Sequence, residues 1–234
     1  MNGIIDSNQK IVSNGLILNY DAAQLRSYPT TGTTWTDLSG VNNNGTLTNG
    51  PTFNSANGGS IVFDGVNDFV NLTSANFSSI TNQISVFFWV YPQNLGVKDV
   101  MIIRKPFNGQ GFLLSLLNRN ISAGIKLNTS WYNNTDTGTS NQPIILDAYN
   151  YIGFTWSLNT MKLYFNGQLV KTSTITGTSI VLDAGNTYIG TDGFTPTFND
   201  SLRGRISNGQ IYNIALTETQ ALQNYNALKS RFEL

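Results

Sequence analysis

The chain has 234 residues of one uniform composition, which points to a single domain with a core large enough to fold without disulfides or metals. Thirteen basic residues balance 13 acidic ones, and only 11% of the chain is charged, so the surface must be built from Asn, Thr, Ser and Gly. The 31 Asn residues fit that reading. Such a surface excludes phosphate-driven nucleic-acid binding, which needs a Lys/Arg excess on one face, and argues against a membrane-surface role for the same reason. No run approaches the ~18 apolar residues of a spanning helix, and residues 1–15 lack the apolar stretch of a secretory signal. The chain contains no Cys and no His, which rules out thiol nucleophiles, His-based triads and Cys/His zinc sites. The zero-Cys count suits a cytosolic product and an extracellular particle equally.

In chain order, short apolar or alternating runs separated by Gly/Asn/Asp turns predict strands at 15–20, 59–63, 68–72, 83–91, 99–104, 111–118 and 121–128. Further strands are predicted at 149–157, 160–165, 168–175, 186–190 and 203–214. About a dozen strands with no intervening helices make a two-sheet or closed β architecture. Asn166-Gly167, between MKLYF and QLVKT, supplies the positive φ of a type I′ hairpin turn. The Thr-Gly repeats at 135–139 and 174–178 read as loop tips or a hairpin end.

One helix is marked, at the C-terminus. Thr217 is its expected N-cap, with Gln220 as capping-box partner, Glu218 in the first turn, and Lys229 and Arg231 in the last. Leu222, Tyr225, Leu228 and Phe232 form an apolar stripe expected to dock on the sandwich.

Several segments fit one family in order and spacing over roughly residues 14–230. GLILNYDA, WTDLSGVNNNGTL, GGSIVFDGVNDFVNL and ISVFFWVYP are followed by LYFNGQLV, NTYIGTDG and GRISNGQIYNIALTETQALQNYNALK. Together they resemble the laminin-G-like branch of the concanavalin A-like lectin/glucanase superfamily. The resemblance implies an all-β jelly-roll sandwich of two antiparallel sheets over residues 14–234, preceded by an N-terminal arm at 1–13. Asn-, Thr- and Gly-rich members of this type resemble bacteriophage virion proteins of tail fibres, baseplates or capsid surfaces. That implies an extracellular particle assembled in the host cytoplasm, with other virion subunits, a second copy of itself or a cell-surface glycan as partners.

The glucanases of this superfamily carry a pair of Glu on one strand face. Here the only Glu are Glu218 and Glu233, and no Asp pair lies two or four apart within a middle strand, so glycoside hydrolysis by that route is excluded.

Three other groups of residues have two readings each. Asp64 and Asp68, flanking Gly65-Val66-Asn67, have the chemistry of a calcium site, or serve as turn residues capping backbone amides. Asp37 poses the same choice with one carboxylate, and Asp192-Gly193 reads as a turn. In strand 83–91 both faces are apolar, with Ile84, Val86, Phe88 and Val90 on one side and Phe87, Trp89 and Tyr91 on the other. The aromatic side is either a sugar-stacking row or a second buried face. Trp131, Tyr132, Asn133 and Asn134, in a polar segment between predicted strands, offer a stacking face beside amide donors and acceptors, as glycan recognition requires. The other reading folds the aromatics back on the sandwich. The Asn-x-Ser/Thr triplets, such as Asn71-Leu72-Thr73, follow from composition. Two function classes stand at this point: glycan or host-surface recognition, and a purely structural decoration or fibre protein.

Overall fold

The computed structural model describes residues 10–94, 98–104, 111–128, 131–135, 144–182, 185–192 and 200–234, with the side chains of 98, 100, 103, 104 and 131–135 left out. The strands are β1 Leu16–Asp21, β2 Thr34–Trp35, β3 Gly45–Thr48, β4 Thr52–Asn54, β5 Ser60–Asp64, β6 Phe69–Leu72, β7 Gln83–Pro92 and β8 Lys98–Arg104. After them come β9 Phe112–Leu117, β10 Asn120–Lys126, β11 Trp131–Thr135, β12 Asn150–Ser157, β13 Thr160–Phe165, β14 Gln168–Thr174, β15 Thr187–Ile189 and β16 Arg203–Tyr212. One α-helix, α1 (Glu218–Leu228), follows.

The strands form two antiparallel sheets. The first runs β14-β13-β12-β7-β16-β5-β4, with β1 also on β16; the second runs β11-β10-β9-β8-β15-β6-β3-β2. This is the expected jelly-roll sandwich. The predicted strands are all present. Four more, β2, β3, β4 and β11, are short or polar, and their strand conformation comes from pairing with neighbouring strands.

Between the sheets lies the main core, with Ile84, Val86, Phe88 and Val90 of β7 facing Met101, Ile102, Leu114, Ile125 and others of the second sheet. The opposite face of β7 is also buried. Phe87 and Trp89, with Tyr151, Tyr164 and Tyr212, form a second core under the C-terminal segment, which decides the aromatic row of 83–91 in favour of burial. Trp89 packs on Tyr225 and Phe232, with ring centroids at 5.4 and 4.3 Å.

The helix begins as expected. Thr217 Oγ accepts the Gln220 amide while the Gln220 side chain accepts the Thr217 amide. Its end differs: α1 stops at Leu228, and Lys229 and Arg231 belong to a 3-10 turn, Lys229–Phe232, so neither lies in the last α-helical turn. Arg231 is instead recruited by the sheet, donating to Asp21 Oδ1 and Ser207 Oγ at 2.9 Å each. The fully buried positions of α1 are Ala221 and Asn224. Leu222, Tyr225 and Leu228 flank this line half-buried, and Phe232 is buried. The helix lies close enough to the sheet that only a small or hydrogen-bonded side chain fits beneath it.

Asn224 ties three segments together. Its Oδ1 accepts the Val12 amide (2.8 Å), and its Nδ2 donates to Gln210 Oε1 (3.1 Å) and Tyr212 OH (2.9 Å). Tyr212 OH in turn donates to the Val12 carbonyl. Of the 1–13 arm, residues 10–13 are described, and Val12 is buried in the second core.

Candidate functional site

Residues 131–135 were expected between strands, and here the structure corrects the reading: they form β11, the terminal strand of the second sheet. Two Asn weaken intrinsic strand preference. The pairing comes from β10, with Trp131 opposite Lys126, Tyr132 opposite Ile125, Asn133 opposite Gly124 and Asn134 opposite Ala123. The side chains of Trp131, Tyr132, Asn133 and Asn134 lie outside the described residues. Beside them, the Thr-Gly loop docks on the end of β10: Leu127 bridges Ile180, and Asn128 exchanges hydrogen bonds with Thr178 (Nδ2 to Oγ1, 3.1 Å; amide to Oδ1, 3.2 Å).

The backbone register joins this edge to a row crossing the second sheet on the side away from the core. Thr46 pairs with Asn71, Asn71 with Tyr188, Tyr188 with Ile103, Ile103 with Leu113, Leu113 with Gly124 and Gly124 with Asn133. The row is open at one end, where Thr46 is exposed and Asn71 and Tyr188 are half-buried. It is closed over β9 and β10, where Leu113, Ser115 and Ser122 are buried. Tyr188 is held from two sides, by an edge contact from Phe69 at 5.8 Å and by Asn186 Nδ2 donating to its hydroxyl at 3.1 Å. Ser115 Oγ and Asn71 Oδ1 are buried without a hydrogen-bond partner. Sequence reasoning passed over Asn71 and Tyr188. Their signal was the period-2 alternation of FVNL and TYI, in which Asn71 and Tyr188 fall opposite to Val70, Leu72 and Ile189 of the core.

The FDGVNDF carboxylates both serve their own turn. Asp64 Oδ1 accepts the Val66 and Asn67 amides at 2.8 and 3.3 Å, and Asp68 Oδ2 accepts the Asp64 amide at 3.0 Å. Burial raises Asp68 to about 6, the nearby Asp64 charge adds to the rise, and the amide bond opposes it. No cluster of three or more His, Cys, Asp or Glu side chains able to hold a metal occurs among the described residues.

Asp37 is a structural hub. Its Oδ1 accepts the Asn19 and Ser39 amides, and its Oδ2 accepts the Asn43 amide and the Ser39 hydroxyl, all within 3.0 Å. The two glutamates both lie outside the strands. Glu218 opens α1 and binds Lys162 Nζ at 2.8 Å, and Glu233 follows the 3-10 turn in an exposed position.

A family-level comparison matches residues 64–221, more than half of the chain, to the concanavalin A-like lectin/glucanases superfamily. The chain belongs to this superfamily. No curated protein matches it significantly. Among solved structures, it is similar to the binding domain of Paraclostridial Mosquitocidal Protein 1 (TM-score 0.72, 18% identity, 92% of this chain and 52% of that one). It is also similar to the receptor binding domain of botulinum neurotoxin C/D mosaic serotype (TM-score 0.71, 18% identity, 92% and 51%). A third is the botulinum neurotoxin serotype D ligand binding domain in complex with N-acetylneuraminic acid (TM-score 0.71, 17% identity, 92% and 51%). All three are binding domains. The chain spans about half the length of these structures, and at such identities the likeness is one of fold.

Proposed function

We propose that this superfamily member is a non-catalytic recognition domain for cell-surface glycans, displayed on a virion as a tail-fibre, baseplate or capsid-surface component. One observation carries the reading: the aromatic-amide segment Trp131–Asn134 lies on a terminal strand joined by register, through Ile103, Leu113 and Gly124, to Asn71 and Tyr188 on the same sheet. A sheet face with half-buried Tyr and Asn provides ring stacking and paired amide hydrogen bonds with little charge, which suits a neutral saccharide. The isolated positions of Glu218 and Glu233 support a domain that binds without hydrolysing.

A glycan array probed with the wild type and with Trp131→Ala tests this. Binding is expected to change little between low and moderate salt, and to fall at least about tenfold in the variant with stability within about 0.5 kcal/mol of wild type. If no glycan or host-cell surface retains the wild type, the domain is an assembly or decoration piece. Mass spectrometry of purified phage particles tests the virion placement.

A further inference from the structure

A second surface lies on the opposite sheet, beyond the end of the C-terminal cover. There Tyr91 of β7 pairs in register with Arg205 of β16, Arg205 with Val62 of β5, and Val62 with Thr52 of β4. All four side chains are half-buried or exposed. The Arg205 guanidinium sits over the Tyr91 ring at 4.7 Å from its centroid, and Tyr149 meets Tyr91 edge-on at 5.2 Å. Arg203, two residues away on the same face of β16, is exposed.

Neither arginine carries an ion pair among the described residues. Asp64 is in register with Arg203, but its Oδ1 accepts the amides of its own turn, and Asp21 is paired with Arg231. Burial raises the Tyr149 phenol, with the Arg205 and Arg231 charges acting in the opposite direction.

We infer that this Tyr91–Arg205–Val62 face is a second binding site, for saccharides that carry a carboxylate. A guanidinium stacked on an aromatic ring is pre-oriented, with its N–H edge free to take a carboxylate in a bidentate pair. The inner strands β7, β16 and β5 have their backbone groups paired on both sides, so an extended peptide could join a ladder only at the terminal strand β4, away from Tyr91 and Arg205. A ligand must be held by side chains on a flat face. The spacing of neighbouring strands, about 4.8 Å, sets Tyr91, Arg205 and Val62 at intervals close to the length of a sugar ring. The inference builds on the glycan-recognition reading but uses a different sheet and a different force.

The test is calorimetric titration of the full chain with hyaluronan hexasaccharide and with sialyllactose, beside carboxyl-reduced hyaluronan hexasaccharide, sodium acetate and a hexaglutamate peptide. At least one acidic saccharide is expected to bind, weakening several-fold from 0.05 to 0.3 M salt. Carboxyl reduction and Arg205→Gln are each expected to weaken it about tenfold or more, and Arg205→Lys less, because charge survives without the fork. Melting temperatures of the variants, expected to match wild type, exclude loss of fold. Trp131→Ala is expected to leave this binding unchanged, so its outcome separates this site from the β11 edge. Binding of neither acidic saccharide at millimolar concentration, equal binding by Arg205→Gln, or tighter Arg205-dependent binding of acetate or hexaglutamate overturns the inference.

Discussion

Asp68 is buried where a carboxylate costs most, and its single amide bond to Asp64 does not offset that cost. Its folded pKa of about 6 stands above the ordinary unfolded value of about 4, so the folded state holds the extra proton. The stabilising contribution is therefore complete below about pH 4 and is lost as pH rises through about 6. Asp68→Asn keeps an acceptor for the Asp64 amide and removes the charge. Melting curves from pH 4 to 7.5 should show the variant lacking part of the wild-type decline and at least as stable at pH 7.5; parallel curves would refute this. Asp37 is the opposite case, a buried carboxylate with four donors. Asp37→Ala orphans three backbone amides and a hydroxyl and should cost about 3 kcal/mol or more by chemical denaturation. Both aspartates were legible in the sequence as turn residues. Which of them is well satisfied was not, because the donors to Asp37 include Asn19, eighteen residues away.

The C-terminal helix was the most legible element, since its cap and stripe are local signals. Its burial was misread at one point, because the stripe names the apolar side while the closest approach to the sheet falls on Ala221 and Asn224. Leu222 is half-buried near the Asn166-Gly167 turn, so Leu222→Ala should cost about 1–2 kcal/mol, below the range of a fully buried leucine. Asn224→Ala should cost more, about 2–4 kcal/mol, by leaving the Val12 amide and its partners on Gln210 and Tyr212 without their bonds. Faster hydrogen exchange at Val12 would mark the released segment; an unchanged rate would contradict the clamp. The hairpin and the helix also constrain each other. Gly167 has φ +77°, and a Cβ there would meet Tyr225 Cβ at 2.8 Å, so Gly167→Ala should destabilise by about 1–2 kcal/mol, measured by thermal melting. Two other two-residue turns, Asn118-Arg119 and Leu158-Asn159, also take positive φ. They carry no glycine, and pairing of the flanking strands sets their conformation.

At the scale of the whole molecule, two stacked cores leave different jobs to the two sheets. The first sheet hides Phe87, Trp89, Tyr151, Tyr164 and Tyr212 under the C-terminal segment, and the second leaves Asn71 and Tyr188 half-buried on its outer face. With Glu218 and Glu233 at either end of the C-terminal segment, the chain should release no reducing sugar from β-glucan; turnover above buffer that disappears on changing one Asp would refute this. The sequence by itself determined the longer strands, the all-β class, the helix cap and the absence of the glucanase pair, because these rest on period-2 alternation, turn chemistry and residue identity. Only the tertiary structure decided that Phe87 and Trp89 are core and that 131–135 is a strand. It alone brought Tyr91, Arg205 and Val62 into one line. The burial of Phe87 and Trp89 and the Tyr91–Arg205–Val62 line depend on β16 lying between β7 and β5, and antiparallel pairing between segments over a hundred residues apart leaves no local trace in either segment.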